Sequence, residues 1–158
     1  MLYIPYSIIS YMKALIIEDD LNWLNRILNI TQEKLPECII DISDSINDTL
    51  NIKYYNLFIL DIEVKDKNGI DLGLIIKEEN PQASIIYVSA YYTYLTQGYK
   101  TRAIAFVLKD DLRFDELLKE AIDDYLLENS KINLSIKLKS GAVEYNSSIF
   151  KLNWTLSK

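Results

Sequence analysis

The sequence contains no histidine and only one cysteine, Cys38, among 158 residues. Without histidine, the chain itself cannot form a Ser/His or Cys/His catalytic pair, a histidine-ligated zinc site or a histidine-ligated haem. One cysteine excludes an internal disulfide and a cysteine-only zinc site. These absences leave oxygen-ligated metals such as Mg²⁺ as the plausible metal chemistry. A lone thiol is also typical of the cytoplasm, where disulfides are rare.

Positive charge is scarce as well, because 17 Lys and Arg residues face 23 Asp and Glu residues, for a net charge of −6. This balance argues against the whole chain acting as a nucleic-acid binder, which normally presents a basic face. The first residues, MLYIPYSIISYMK, are apolar but too short to span a bilayer, and they lack the positive start of a signal peptide. We therefore expect no membrane association, and we treat residues 1–11 as an N-terminal extension.

What the sequence does contain is a regular alternation of short apolar runs with helical patterns. This alternation is typical of βαβ units in a parallel sheet that is covered on both faces. It predicts a doubly wound α/β domain over residues 12–128, with a five-stranded parallel sheet flanked by helices. The predicted strands are 14–17, 38–42, 57–60, 84–88 and 105–108. The predicted helices are 21–34, 43–52, 70–79, 92–102 and 114–127.

Polar side chains follow four of these strands at their carboxyl ends. Glu18 and Asp19 follow the first strand, Asp61 the third, Ser89 the fourth and Lys109 the fifth. In an open α/β sheet the functional crevice lies at these ends, so the side chains should meet there. Three clustered acids repel one another unless a cation joins them, and oxygen ligands favour Mg²⁺ or Mn²⁺. The set predicts phosphoryl transfer onto Asp61, with Lys109 neutralising developing charge.

Four segments, taken together and in this order, resemble the receiver domain of bacterial two-component response regulators. They are ALIIEDD (14–20), LFILDIEVKDKNGIDL (57–72), IIYVSA (85–90) and AFVLKDD (105–111). Gly69 stands where receivers place the glycine of the loop after the phosphorylated aspartate. The resemblance implies a cytoplasmic receiver that takes a phosphoryl group from a sensor histidine kinase and switches conformation to control an output, with transcription as the expected output.

The resemblance also implies a role for each candidate residue. It makes Asp61 the phosphoacceptor and Lys109 its cationic partner. It makes Asp19 a direct Mg²⁺ ligand, Glu18 a ligand acting mainly through water, and Glu63 a ligand through its backbone carbonyl. Ser89 corresponds to the switch hydroxyl and Phe106 to the switch aromatic. Asp110 and Lys65 depart from the pattern, because receivers commonly have proline at both positions.

The receiver reading implies homodimerisation through the face formed by the helix at 92–102, the strand at 105–108 and the helix at 114–127. It also implies a phosphoacceptor that takes part in its own phosphorylation and dephosphorylation rather than a conventional enzyme. The alternative for Glu18, Asp19 and Asp20 is a purely structural role, in which they cap the following helix.

Three other functions are alternatives to the receiver interpretation. A phosphorylation-independent interaction module with the same fold is the first, with the tyrosines of residues 91–99 as a partner face. A phosphatase with an aspartyl-phosphate intermediate is the second, although Glu63 replaces the second aspartate of the common haloacid-dehalogenase pattern. A flavodoxin-like FMN protein is the third, but the acids after the first strand would repel the phosphate.

The last segment, residues 131–158, changes character, because residues 133–150 alternate as two strands around Ser140 and Gly141, which predicts a hairpin. This segment resembles the opening strands of a LytTR-type DNA-binding domain. We therefore expect residues 129–158 to be a linker and the truncated start of such a module. No autonomous DNA binding is expected from so short a segment, although a full-length relative would bind DNA.

Overall fold

The computed structural model describes the backbone of residues 12–139 and the side chains of residues 12–130. Five strands form a parallel sheet in the order β2-β1-β3-β6-β7. These strands are β1 (Lys13–Ile17), β2 (Ile39–Ser43), β3 (Leu57–Asp61), β6 (Ser84–Ser89) and β7 (Ala105–Leu108). Between β3 and β6, β4 (Glu63–Val64) and β5 (Lys67–Asn68) pair as a small antiparallel hairpin. The predicted fold class is confirmed.

Four α-helices flank this sheet in the described part of the chain: α1 (Leu21–Lys34), α2 (Gly69–Glu79), α3 (Leu95–Lys100) and α4 (Phe114–Lys139). Two begin at side-chain caps, which satisfy N–H groups that have no partner in the first turn. Asp20 accepts hydrogen bonds from the first turn of α1, and Asn68 does the same for α2. None of the described helices is both long and apolar enough to cross a membrane.

The core lies on both faces of the sheet, because alternate residues of each central strand point to opposite sides. On one face, residues such as Ile16 and Ile59 pack with Phe114 and Ile122 of α4. On the other face, Phe58 and its neighbours pack with the buried side of α2. The central strand β3 is buried along its whole length, and Asp61 is its last residue. This packing fixes Asp61 on the most rigid part of the sheet.

The helix predicted over residues 43–52 is wrong, because this segment forms turns and ends in a 3₁₀ turn at Ile52–Tyr54. Its short polar side chains bond to the local backbone instead, as Ser43 Oγ does with Ser45 O at 2.7 Å. Such bonds compete with helix formation. Asp44 and Asp48 also pair with Lys65 and Lys67 of the β4–β5 hairpin, each at 2.9 Å. The segment is thus tied to the hairpin beside β3.

The predicted helix over residues 92–102 is replaced in part by a 3₁₀ turn at Tyr92–Tyr94, after which α3 covers only Leu95–Lys100. The chain leaves α3 through Arg102, whose φ of 52° lies in the left-handed region. The bond between Lys109 and Asp110 is trans.

The strand predicted at the start of the tail is also wrong, because α4 continues to Lys139. A helix that is already formed gains one hydrogen bond for each residue it adds, and neither proline nor glycine interrupts the sequence before Gly141. The hydrogen bonds gained by extending the helix outweigh the strand-like alternation of the segment. The second strand of the predicted hairpin, beyond Ser140 and Gly141, lies outside the described residues, as does the extension at 1–11.

One close approach in the core generates a stability prediction. A Cβ atom added at Gly73 of α2 would lie 1.8 Å from Tyr87 Oη. We expect Gly73→Ala to lower the free energy of unfolding by about 1–3 kcal/mol, the usual range for overpacking, despite the better helix propensity of alanine. Gly73→Ala with Tyr87→Phe should recover at least half of that loss, because the clashing oxygen is gone. Urea titrations that show equal losses in both variants would contradict this contact.

Candidate functional site

The site lies at the carboxyl edge of the sheet, where the ends of β1, β3 and β7 meet. Lys109 follows β7 and places its ammonium between two carboxylates. Its Nζ atom lies 2.7 Å from Glu18 Oε2 and 2.9 Å from Asp61 Oδ2. All three side chains are less than a tenth exposed. The predicted convergence of Glu18, Asp61 and Lys109 is therefore present.

The three acidic residues after β1 have different roles, and only one of them caps the following helix. Asp20 alone caps α1, accepting from Asn22 N and Trp23 N at 2.9 and 3.0 Å. Glu18 instead turns inward, is fully buried, and accepts from Asp20 N through Oε1 at 3.1 Å. Asp19 remains exposed, and its carboxylate lies beside the site. The capping interpretation thus applies to Asp20 and not to Glu18.

Three carboxylates form a set of potential metal ligands. Each of Glu18, Asp19 and Asp61 offers an oxygen, and these oxygens lie within 4.8 Å of one another. Among the described side chains, Lys109 is the one cation that pairs with Glu18 and Asp61, so the three acids together keep an excess of negative charge. Carboxylate oxygens are the ligands that Mg²⁺ and Mn²⁺ prefer. The donor set therefore fits a small divalent cation.

Burial and crowding perturb protonation here. Burial raises the pKa of Glu18 to about 7, and nearby Asp61 adds to the rise, although Lys109 opposes it. Burial lowers the pKa of Lys109, but its contacts with Glu18 and Asp61 outweigh this, so the pKa stays above its usual range. Both shifts have one meaning: the site favours an additional positive charge, whether a proton or a metal ion.

Asp61 is held at both oxygens. Ile62 N–H donates to Oδ1 at 2.7 Å, and Lys109 donates to Oδ2 at 2.9 Å. Gly69 permits this arrangement, because a Cβ atom there would lie 2.2 Å from the Asp61 carbonyl oxygen. The carboxylate is thus oriented by a rigid strand, a backbone amide and a buried ammonium.

The other predicted residues surround this centre at greater distance. Ser89 is buried at the end of β6, where its Oγ accepts from Tyr91 N at 3.1 Å. Lys109 N–H donates to Ser89 O at 2.8 Å, which joins the two strand ends. Phe106 is half-buried one strand away, with its ring 6.3 Å from that of Tyr87.

Glu63, which was predicted to offer its backbone carbonyl, lies on the exposed side of β4. Its side chain accepts a hydrogen bond from Tyr94 Oη at 2.7 Å. This bond joins the hairpin after β3 to the turn that precedes α3. The sequence gives no signal for it, because the two residues are distant along the chain and each is ordinary by itself.

Two further contacts were not predicted. Lys65 N–H donates to Asp19 Oδ2 at 2.9 Å, from a backbone with a φ of 51°. Trp23 places its ring 5.5 Å from Lys109 Nζ. A positive φ outside glycine has no reliable sequence signal, but a tryptophan in the first turn after the acidic cluster is a feature that could have drawn attention.

The chain is similar in sequence to known regulatory proteins. Accessory gene regulator protein A of Staphylococcus aureus is 33% identical over 145 residues, which cover 84% of this chain and 59% of that protein. Transcriptional regulatory protein LytR of the same species is 31% identical over 101 residues, covering 62% of this chain and 41% of LytR. The chain thus spans about half the length of these relatives. No family model matches the chain.

A solved structure shares both fold and sequence features. The response regulator protein TrrA of Thermotoga maritima, in complex with Mg²⁺ and BeF, is 26% identical with a TM-score of 0.53. The match covers 72% of this chain and 98% of TrrA. The chain is thus similar in sequence to these regulators and has the fold of a response-regulator receiver domain.

The raised pKa of Glu18 predicts how the free energy of unfolding depends on pH. A carboxyl group whose pKa is higher in the folded state stabilises fully below its unfolded pKa, near 4.5, and that contribution is lost as pH rises through about 7. In EDTA, Glu18→Gln should therefore reduce the loss of unfolding free energy between pH 5 and pH 8 by about 1–3 kcal/mol.

Urea titrations at both pH values measure this difference. Glu33→Gln is the matched control, because it removes an exposed carboxylate that pairs with Lys119 on the protein surface. An equal pH dependence in wild type and Glu18→Gln would contradict the perturbed protonation of Glu18.

Proposed function

We propose that this chain accepts a phosphoryl group on Asp61 from the phosphohistidine of a sensor histidine kinase. The observation that carries the proposal is the buried Lys109 ammonium shared by Glu18 and Asp61, beside a third carboxylate from Asp19. An Asp61 oxygen attacks phosphorus, the phosphorus–nitrogen bond of the donor breaks, and its electron pair returns to the donor imidazole. Since this chain has no histidine, the donor is another molecule.

The residues of the site have separate tasks in this transfer. Ile62 N–H and Lys109 orient the Asp61 carboxylate toward the incoming group. Lys109 stays protonated, because its pKa is raised, and it neutralises charge as the new bond forms. Asp19, Asp61 and, through water, Glu18 would hold Mg²⁺ or Mn²⁺, with the Glu63 carbonyl as a further ligand. A bound divalent cation supplies further neutralisation of phosphoryl oxygens.

The acyl phosphate then changes a conformational equilibrium. Ser89 lies at the end of β6, and Phe106 of the neighbouring strand β7 packs against Tyr87 of β6, so Ser89 and Phe106 are the proposed switch. The affected surface is the face of α3, β7 and α4, through which we propose homodimerisation. The chain acts as a self-dephosphorylating phosphoacceptor rather than a conventional enzyme.

We extend the proposal to the protein as a whole. Residues 12–128 are the receiver, and residues 129–158 form a linker and the beginning of a LytTR-like output module. The relatives named as transcriptional or gene regulators support an output in transcription. The proposed transfer from a histidine kinase is the reason why we extend the proposal to a location in the cytoplasm.

The central test is labelling by acetyl phosphate with Mg²⁺, followed by intact mass. We expect a gain of one phosphoryl group that is stable in acid and labile in base. Asp61→Asn should abolish it, because the nucleophile is gone. Lys109→Met should slow it by tenfold or more, in keeping with the loss of about 1.4 kcal/mol or more of transition-state stabilisation.

Asp66→Asn is the matched control, because Asp66 is exposed in the turn of the β4–β5 hairpin. An adduct that persists in Asp61→Asn would refute the assignment of the acceptor. Failure of both acetyl phosphate and the cognate kinase to label wild type would favour the interaction-module alternative. For that alternative, the exposed side chains of Tyr91, Tyr92 and Tyr99 supply a contact face.

Metal binding has its own test. Mg²⁺ well above its dissociation constant should raise the free energy of unfolding by about 1–3 kcal/mol, because only the folded chain gathers the three carboxylates. Asp19→Asn should remove most of this increase. Asp20→Asn should preserve it, since asparagine also caps helices well. Equal Mg²⁺ responses in both variants, measured by urea titration, would exclude Asp19 as a ligand.

A further inference from the structure

Trp23 contacts the buried Lys109, and the phosphoryl-transfer proposal assigns it no role. The ring of this half-buried residue has its centroid 5.5 Å from Lys109 Nζ. An ammonium within about 6 Å of an indole centroid is attracted by the negative face of the ring. Lys109 is only 8% exposed, so water can contribute little to the stability of its charge. The ring therefore helps to replace the lost hydration.

The ring differs from the other partners of Lys109 in one respect. Glu18 and Asp61 are carboxylates, and each can take a proton or a metal ion and so weaken its hold on the ammonium. An indole ring does neither. Its attraction for Lys109 therefore persists when Asp61 forms the acyl phosphate and the negative charge moves from the carboxylate onto the phosphoryl oxygens, which is the moment at which the cation must stay in place.

The position of the ring is itself strongly fixed. The backbone N–H of Trp23 donates to the capping Asp20 carboxylate at 3.0 Å, and this bond holds the first turn of α1. Its ring meets the buried Phe114 edge-on, with centroids 4.9 Å apart and an interplanar angle of 68°. The Arg26 guanidinium lies 5.0 Å from the Trp23 ring and pairs with Asp115 of α4 at 2.8 Å. Contacts from two helices thus determine where the ring lies.

We propose that Trp23 is a positioning residue that holds the Lys109 ammonium in reach of Asp61. This inference rests on the proposed function, because the need for a positioned Lys109 comes from phosphoryl transfer. It adds a residue from α1 to a site otherwise made from strand ends. It also joins the site to the surface, through the exposed pair of Arg26 and Asp115.

The test uses the full chain with Trp23→Leu and Trp23→Phe. Tyr55→Leu is the matched control, because Tyr55 is also a half-buried aromatic in an edge-on pair, on the opposite face of the sheet. The first measurement is the proton chemical shift of the Lys109 ε-methylene group by NMR, which an aromatic ring close by displaces. The second is the rate of Asp61 labelling by acetyl phosphate at saturating Mg²⁺, with unfolding midpoints recorded for each variant.

We expect Trp23→Leu to abolish the ring-induced displacement and to slow labelling by about three- to tenfold, as loss of a largely desolvated cation–π contact would. Trp23→Phe should recover part of both, because the smaller ring still presents a negative face. Tyr55→Leu should change neither, even where its unfolding midpoint falls as far as that of Trp23→Leu.

Three results would overturn the proposal. An unchanged Lys109 shift in Trp23→Leu would exclude the contact. A lost displacement with an unchanged labelling rate would reduce Trp23 to a packing residue. An equal slowing in Tyr55→Leu would attribute the effect to general destabilisation. If wild type is not labelled at all, the proposed function fails by itself, while the NMR measurement still decides whether the ring holds Lys109.

Discussion

The site depends on the ion pairs that the Lys109 ammonium forms with Glu18 and Asp61. A wholly buried strand that ends in a carboxylate would be costly without a partner, because desolvation of an unpaired charge is unfavourable. Lys109 supplies that partner from another strand of the same sheet. Since β1, β3 and β7 are parallel, their carboxyl ends lie at one edge, so three separate segments can meet around a single cation.

The same interaction leaves the site unbalanced. One ammonium does not neutralise Glu18, Asp19 and Asp61, and the pKa of Glu18 rises to about 7 as a result of burial and of the nearby Asp61. Buried ion pairs of this kind often stabilise a fold less than apolar residues of similar volume would. A cluster with excess negative charge is therefore better suited to binding a cation than to stabilising the fold.

Much of the fold and the centre of the site were predictable from sequence, because they depend on patterns that packing enforces. Each central strand is an unbroken apolar run, and the polar residue after it falls at the carboxyl edge. The turns at 43–52 were not predictable, because the pattern indicates a helix there whereas Ser43 bonds to the backbone of Ser45 instead. The first strand predicted for the tail is wrong because residues 133–139 alternate like a strand, whereas continuation of α4 adds a hydrogen bond with each residue.

Contacts between distant residues were beyond sequence reasoning, and some of them connect the core beside β6 and β7 to the surface. Tyr87 and Phe106 are adjacent in register on β6 and β7. A Cβ atom added at Gly98 of α3 would lie 3.2 Å from the Phe106 ring, so the ring lies directly against this helix. Interiors so closely packed transmit displacement rather than absorb it. The half-buried Phe106 ring therefore lies between Tyr87 in the core and α3, which carries the exposed Tyr99, so a displacement of this ring would act on the tyrosine-bearing surface.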